Sequence, residues 1–254
     1  MNSVQQENMD CPCEQPPEAL AIVPAAGQGS RMGGTSNKPF IDLNGVPVII
    51  RTLRTLASCP CIRGIIIISK PDEIPAMKAL LDQCPVDRIT AIVPGGSTRQ
   101  ESVGIGLKAA AGFALSTRDL QEPDPVIAVH DGARCLVSRT VICRTLCHAA
   151  SLSPCAAAVP VKDTIKQADF SGHVEKTLDR SCLFAVQTPQ TARLSDFSFA
   201  FAQAEATGFC ATDDLSVLEA AGIAVDLVEG DERNIKLTTP FDLLIAKAIL
   251  TEQR

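Results

Sequence analysis

Short aliphatic runs recur along the chain, each bounded by turn residues, with helically spaced segments between them. The runs are Ala19 to Pro24, Gly64 to Ser69, Ile89 to Val93, Val126 to His130, Ala156 to Val161 and Ala224 to Val228. Each reads as a strand buried on both faces, because apolar residues follow one another without polar alternation. Helical spacing covers Val48 to Ala57, Glu73 to Gln83, Gln100 to Ala114, Ser138 to Ala150, Ser195 to Thr207, Asp214 to Ala221 and Pro240 to Thr251. Strand and helix alternate, which predicts an α/β fold of Rossmann-like, three-layer type. Its sheet is mostly parallel and covered on both sides, with ligands at the carboxyl ends of the strands.

One segment departs from this rhythm. KDTIKQADFSGHVEKTLDR, Lys162 to Arg180, holds two short strand-like stretches around a Ser-Gly turn and predicts a β-hairpin arm projecting from the body. Its polarity suits an arm that reaches a second subunit, and equally a solvated excursion. With 254 residues the chain remains within the range of one α/β unit, taken as residues 19–254. Residues 1–18 are polar, acidic and proline-containing, and read as a flexible tail rather than a transit peptide.

Charge and cysteine content narrow the function classes. A formal net charge of −6 argues against sequence-independent nucleic-acid binding, so any anion site must be a local cluster of Arg and Lys. No apolar run approaches the ~18 residues of a membrane span. The 11 cysteines are an odd number without a secretory signal, which points to a reducing cytosol. Most lie in apolar or helical surroundings and read as small core residues. Cys11/Cys13 and Cys59/Cys61 are spaced too closely for the usual zinc patterns and have no nearby histidine.

The stretch IVPAAGQGSRMGGTSNKPF, Ile22 to Phe40, carries the chemistry. Gly27, Gly29, Gly33 and Gly34 follow a strand, where the lack of a Cβ lets backbone N–H groups approach an anion. GQGSRMG has the glycine spacing of a dinucleotide loop, but Arg31 and then Lys38-Pro39 follow, and no acidic residue stands at the expected distance after a second strand. The Gly-Lys-Ser/Thr of a Walker loop is absent. Two cations flanking a backbone cradle suit a triphosphate.

These residues resemble the signature of the nucleotidyltransferase superfamily, the nucleotide-diphospho-sugar transferase type of fold. PGGSTRQESV (Pro94 to Val103), VHDGAR (Val129 to Arg134), KDTIK (Lys162 to Lys166), FAVQTPQ (Phe184 to Gln190), ATDDLSVLE (Ala211 to Glu219) and GDERNIKLTTPFDL (Gly230 to Leu243) narrow the resemblance to the 2-C-methyl-D-erythritol 4-phosphate cytidylyltransferases of the non-mevalonate isoprenoid pathway. It covers nearly everything after Leu20. One departure is Cys135, which stands where the family usually has proline.

The resemblance implies roles residue by residue. Ala25, Ala26, Gly27 and Gly29 would cradle CTP, while Arg31 and Lys38 contact its triphosphate and, with Lys236, stabilise charge at the α-phosphorus. Gly96, Ser97 and Ser102 would read the cytosine edge. Asp131 would hold Mg²⁺ or another divalent cation between the phosphates. Thr164, Arg180, Thr188 and Lys236 would bind the phosphate of the polyol, partly across a homodimer interface made by the arm. Asp213, Asp214 and Glu219 read as a capping cluster opening a helix, and the role of Arg134 is open. The implied reaction is transfer of CMP from CTP to 2-C-methyl-D-erythritol 4-phosphate with release of pyrophosphate. Alternatives are a ribitol 5-phosphate cytidylyltransferase, which shares most of these blocks, and a nonenzymatic CTP-binding module.

Overall fold

The computed structural model describes residues 16–26, 38–118 and 120–252, Lys38 by its backbone alone. Its centre is β1 (Ala19–Pro24), which pairs in parallel with β4 (Ile62–Ser69) on one side and β6 (Val126–Val129) on the other. Beyond β4 lies β5 (Ile89–Pro94), also parallel. Beyond β6, the strand β10 (Phe184–Arg193) runs antiparallel between β6 and β7 (Cys155–Pro160), and β11 (Asp226–Glu229) closes that edge parallel to β7. The order is β11-β7-β10-β6-β1-β4-β5.

Side-chain alternation sends successive residues of a strand to opposite faces, and each face has its own core. Ala19, Ala21 and Val23 of β1, with Ile65 and Ile67 of β4, pack beneath α1 (Val48–Ser58), α2 (Ile74–Gln83) and α4 (Arg139–Ser151). Leu20 and Ile22, with Ile66 and Ile68, pack beneath α3 (Arg99–Ser116), α5 (Leu194–Thr207) and α6 (Asp214–Ala220). These runs have no polar face because neither side of the central sheet meets water. A third cluster joins Leu43, Val48, Cys135, Leu237 and Ala246. It ties the small β2–β3 ribbon (Asp42–Leu43 with Val46–Pro47) and α7 (Pro240–Glu252) to the loop after β6. Cys135 therefore fills an apolar contact, and burial pushes its thiol up to about 11.

Three sequence expectations need correction. β5 and β11 are the sheet edges: β5 is only partly buried, although Ile89 and Ile92 pack into one core and Ala91 and Val93 into the other, and β11 is mostly exposed. β10 went unread as a strand although it lies between two others, because its middle is polar and contains Pro189. The ladder to β7 is irregular between Val186 and Gln190, which accommodates a residue without an N–H. Glu18, assigned to the tail, is anchored instead: its carboxylate accepts from the Gln121 and Glu122 N–H groups and pairs with Arg63 at 3.5 Å. The arm is a hairpin of β8 (Lys166–Ala168) and β9 (Val174–Thr177), exposed along its length. Among the described residues, no helix is long and apolar enough to cross a membrane.

Candidate active site

The carboxyl ends of β1, β4, β5 and β6 open on a cleft of about 510 Å³. Ala25 and Ala26 follow β1, Lys70 follows β4, Gly95 to Thr98 follow β5, and Asp131 and Gly132 follow β6, with Arg99, Ser102 and Lys236 on the walls. Asp131 is the only acidic residue among the lining residues described. Of the residues expected at the site, Ala25, Ala26, Gly96, Ser97, Ser102, Asp131 and Lys236 meet here. Arg31, Gly27, Gly29, Gly33 and Gly34 lie outside the described residues. Lys38 opens a single 3₁₀ turn whose next residue, Pro39, lines the cleft. Thr164 and Arg180 are exposed on the arm and do not line the cleft, and Arg180 donates to the Lys162 carbonyl at 2.8 Å.

The loop after β5 is shaped by the start of α3. Thr98 caps the helix by accepting from the Glu101 N–H at 3.0 Å, and Glu101 reaches back to accept from the Ser97 N–H at 2.8 Å and its hydroxyl at 2.6 Å. The Ser102 hydroxyl accepts from the Gly96 N–H at 3.1 Å and donates to the Thr98 carbonyl at 2.8 Å. Ser102 thus fixes the loop. A side chain at position 96 would place its Cβ 2.6 Å from that of Glu101, so this approach requires glycine.

The charges converge on Asp131. Lys236 Nζ lies 2.8 Å from Oδ2, Arg99 3.6 Å from Oδ1 and Arg134 Nε 3.6 Å from Oδ2. Burial works to raise the Asp131 carboxyl, but Lys236, Arg99 and Arg134 together hold it below the usual carboxylate range. Arg99 makes a two-pronged pair with Asp214, at 2.7 and 2.6 Å. Burial acts against the charge on Arg99, and Asp214 with Asp131 overcomes it, so the guanidinium is firmly protonated. In Asp214, burial raises the carboxyl and Arg99 opposes that rise.

A buried hydrogen-bond chain orients the loop that carries Asp131. The Arg134 carbonyl can only accept, so His130 Nε2, 3.1 Å away, carries the proton. Nδ1 must then accept from the Thr188 hydroxyl at 3.1 Å, whose oxygen accepts the Asp131 N–H at 3.1 Å. Burial lowers the His130 pKa to about 4, which keeps the imidazole neutral. Thr188, expected to bind a substrate phosphate, has its hydroxyl committed within this chain and is only 3% exposed. We expect Thr188→Val to strand the Asp131 N–H and cost about 1–3 kcal/mol in urea denaturation, with Thr188→Ser close to the unsubstituted chain. Equal loss in both variants would mean that the methyl, not the hydroxyl, matters.

Lys236 is placed by its own neighbours. Asn234 donates to Gln187 Oε1 at 3.1 Å and to the Thr188 carbonyl at 2.8 Å, Arg134 donates to the Asn234 carbonyl at 2.7 Å, and the Leu237 N–H reaches the Ala133 carbonyl at 2.9 Å. Arg134, whose role the sequence left open, is therefore the tie between the Asp131 loop and the Lys236 segment.

Sequence reasoning left the part of Arg99 in its PGGSTRQESV block unassigned, and missed Lys70 as a wall residue and Asp214 as a buried charge. Lys70 had a readable signal, standing just past the end of an aliphatic strand; its ammonium pairs with Glu73 at 3.0 Å. The Arg99–Asp214 contact spans 115 positions and leaves no local pattern. The capping expectation holds for Asp213, which accepts from the Ser216 N–H at 3.0 Å, but not for Asp214.

A family model described as IspD, 2-C-methyl-D-erythritol 4-phosphate cytidylyltransferase, matches residues 19–252. The proteins of that name from Bacillus licheniformis and Bacillus velezensis are 42% and 45% identical, over 92% of this chain and 96% of each relative. The crystal structure of 4-diphosphocytidyl-2C-methyl-D-erythritol synthase from Anaerococcus prevotii superposes with a TM-score of 0.77 at 29% identity, covering 92% of this chain and 96% of that one.

Proposed function

The chain belongs to the 2-C-methyl-D-erythritol 4-phosphate cytidylyltransferase family, and from that membership we propose how its residues transfer CMP from CTP to 2-C-methyl-D-erythritol 4-phosphate. The observation that carries the assignment of roles is the convergence of Lys236, Arg99 and Arg134 on one carboxylate, Asp131, at the carboxyl ends of β1 and β6. CTP lies across those strand ends, its cytosine against Gly96, Ser97 and Ser102 and its phosphates over Ala25, Ala26 and the glycine loop. An oxygen of the polyol phosphate attacks the α-phosphorus in line. The new P–O bond forms as the bond to the bridging oxygen breaks, and pyrophosphate leaves with that electron pair.

No general base is needed, because a phosphate monoester with a second pKa near ~6 is largely dianionic at neutral pH. This agrees with His130, whose two nitrogens are both engaged inside the protein. Lys236, with Arg31 and Lys38 from the glycine loop, offsets the charge that builds on the transferring group. The residues present fit Mg²⁺: one hard carboxylate at the cleft, with phosphate oxygens to complete the shell, is how this ion is usually held. Asp131 would hold it, and it would supply further neutralisation of phosphate charge.

Thr164 and Arg180 extend on the arm, and we assign them to the polyol phosphate in the cleft of a second copy. Exposed Phe170 and Val174 on the arm, with Phe184 and Val186 on β10, supply apolar surface for that contact.

The test is pyrophosphate release from CTP and Mg²⁺ with each polyol phosphate offered separately. Turnover is expected with 2-C-methyl-D-erythritol 4-phosphate, and Lys236→Ala should lower kcat by about 10²- to 10³-fold. Its folding stability should hardly change, because the Lys236 side chain is 43% exposed. Turnover with ribitol 5-phosphate alone would replace the substrate, and CTP binding without turnover would leave a binding module.

A further inference from the structure

At the opposite end of the sheet the fold brings together three sulfurs that are far apart in sequence. Cys59 closes α1, Cys61 precedes β4, and Cys143 projects from α4. The three sulfurs lie within 4.8 Å of one another, and Cys59 Sγ is 3.3 Å from Cys143 Sγ. Cys59 and Cys61 are 0% exposed and Cys143 2%. From here to the cleft is the length of β4, roughly 23 Å at about 3.3 Å per residue step, so the cluster is separate from the transfer site.

We propose that Cys59, Cys61 and Cys143 form a trithiolate site for a thiophilic d¹⁰ cation, Cu(I) or Zn(II). Three thiolates bound at ~2.3 Å around one ion stand roughly 3.8–4.0 Å apart, a separation these positions reach with small side-chain adjustments. Soft sulfur ligands select these ions over the hard Mg²⁺ that suits the cleft. The turn from Cys59 to Ile62 is held in place by its backbone, the Ile62 N–H donating to the Cys59 carbonyl at 3.2 Å. Arg88 fixes the same turn, donating to the Cys59 and Ile62 carbonyls at 2.6 Å each. The spacing Cys-x-Cys alone argues against a metal; the third sulfur, contributed 82 positions after Cys61, changes that. On binding, each thiol gives up its proton to solvent as its metal–sulfur bond forms.

The experiment is anaerobic titration of the reduced, metal-free full chain with Cu(I) against a chromophoric chelator, and separately with Zn(II). One tight equivalent of either ion is expected, accompanied by a rise in the thermal midpoint. Cys59→Ser, Cys61→Ser and Cys143→Ser should each weaken it by at least about 100-fold. Exposed controls Cys182→Ser and Cys210→Ser, and the double variant Cys11→Ser/Cys13→Ser, should leave it intact, with retained pyrophosphate release reporting that each variant folds. X-ray absorption of the loaded unsubstituted chain gives an answer independent of variant folding: a shell of three or more sulfurs near ~2.3 Å is expected. No stoichiometric binding, a nitrogen- or oxygen-dominated shell, binding abolished by the control variants, or a Cys59–Cys143 disulfide in place of metal would each overturn the site.

Discussion

Asp131→Ala should lower kcat/KM for CMP transfer by about 10³-fold or more while costing about 2–3 kcal/mol of stability. The separation of the two effects follows from what surrounds the carboxylate. Its oxygens face Lys236, Arg99 and Arg134 at 2.8, 3.6 and 3.6 Å. Two cations have somewhere else to go: Arg99 keeps Asp214, and Lys236 is exposed enough to turn to solvent, whereas largely buried Arg134 keeps only the Asn234 carbonyl. The fold therefore tolerates the loss at that cost. Catalysis does not, because the same carboxylate aims the Lys236 ammonium and is the only acidic group among the described lining residues that could hold Mg²⁺. Asp131→Asn sharpens the reading. It retains the shape and much of the hydrogen bonding but neither the negative charge that faces Lys236 nor a hard anionic ligand, so it should be nearly as inactive as the alanine variant. Near-normal turnover of Asp131→Asn, measured as pyrophosphate release, would show that the charge is not needed and remove Asp131 from the centre of the site.

How far the sequence discloses this arrangement depends on how local each signal is. Ile65 to Ile68 announce a strand because no polar residue interrupts them, and both faces of β4 are indeed covered. The glycines of Gly95-Gly96 are legible because a capped helix follows at once, and Thr98 with Glu101 forms the cap. Asp131 was readable from its position after Val126 to Val129. β10 was not, because what makes it a strand is its neighbours: Thr188, Gln190 and Thr191 are buried polar residues satisfied by partners on other elements. Gln190 alone accepts from the Asp214 and Leu215 N–H groups at 2.8 and 3.1 Å and donates to Asp213 at 2.8 Å, closing the amino end of α6. Isolated from those partners, its residues read as loop. Thr188 illustrates the same limit at the site, since a motif gives its proximity to Asp131 but not that its hydroxyl is already engaged.

The Arg99–Asp214 pair is where stability and positioning can be told apart. Asp214 is 1% exposed and meets the guanidinium at 2.7 and 2.6 Å. Asp214→Ala removes the partner and leaves a charge whose only other carboxylate within ion-pair reach among the described residues is Asp131 at 3.6 Å. Breaking a buried pair in this way costs 3–5 kcal/mol, and because the Arg99 side chain is 32% exposed we expect the lower end, about 3 kcal/mol. Urea denaturation should show this as a lower midpoint at unchanged slope. Turnover should also fall, since a released Arg99 is drawn to Asp131 and competes with Lys236 for it. Replacing both partners, Arg99→Met with Asp214→Leu, removes the stranded charge and substitutes apolar contact, so much of the stability should return. Activity should return only in part, because Asp131 then lacks one of the cations that keep it ionised. An Asp214→Ala variant of normal stability but no turnover would reverse the assignment and make Asp214 a direct contact of the substrate.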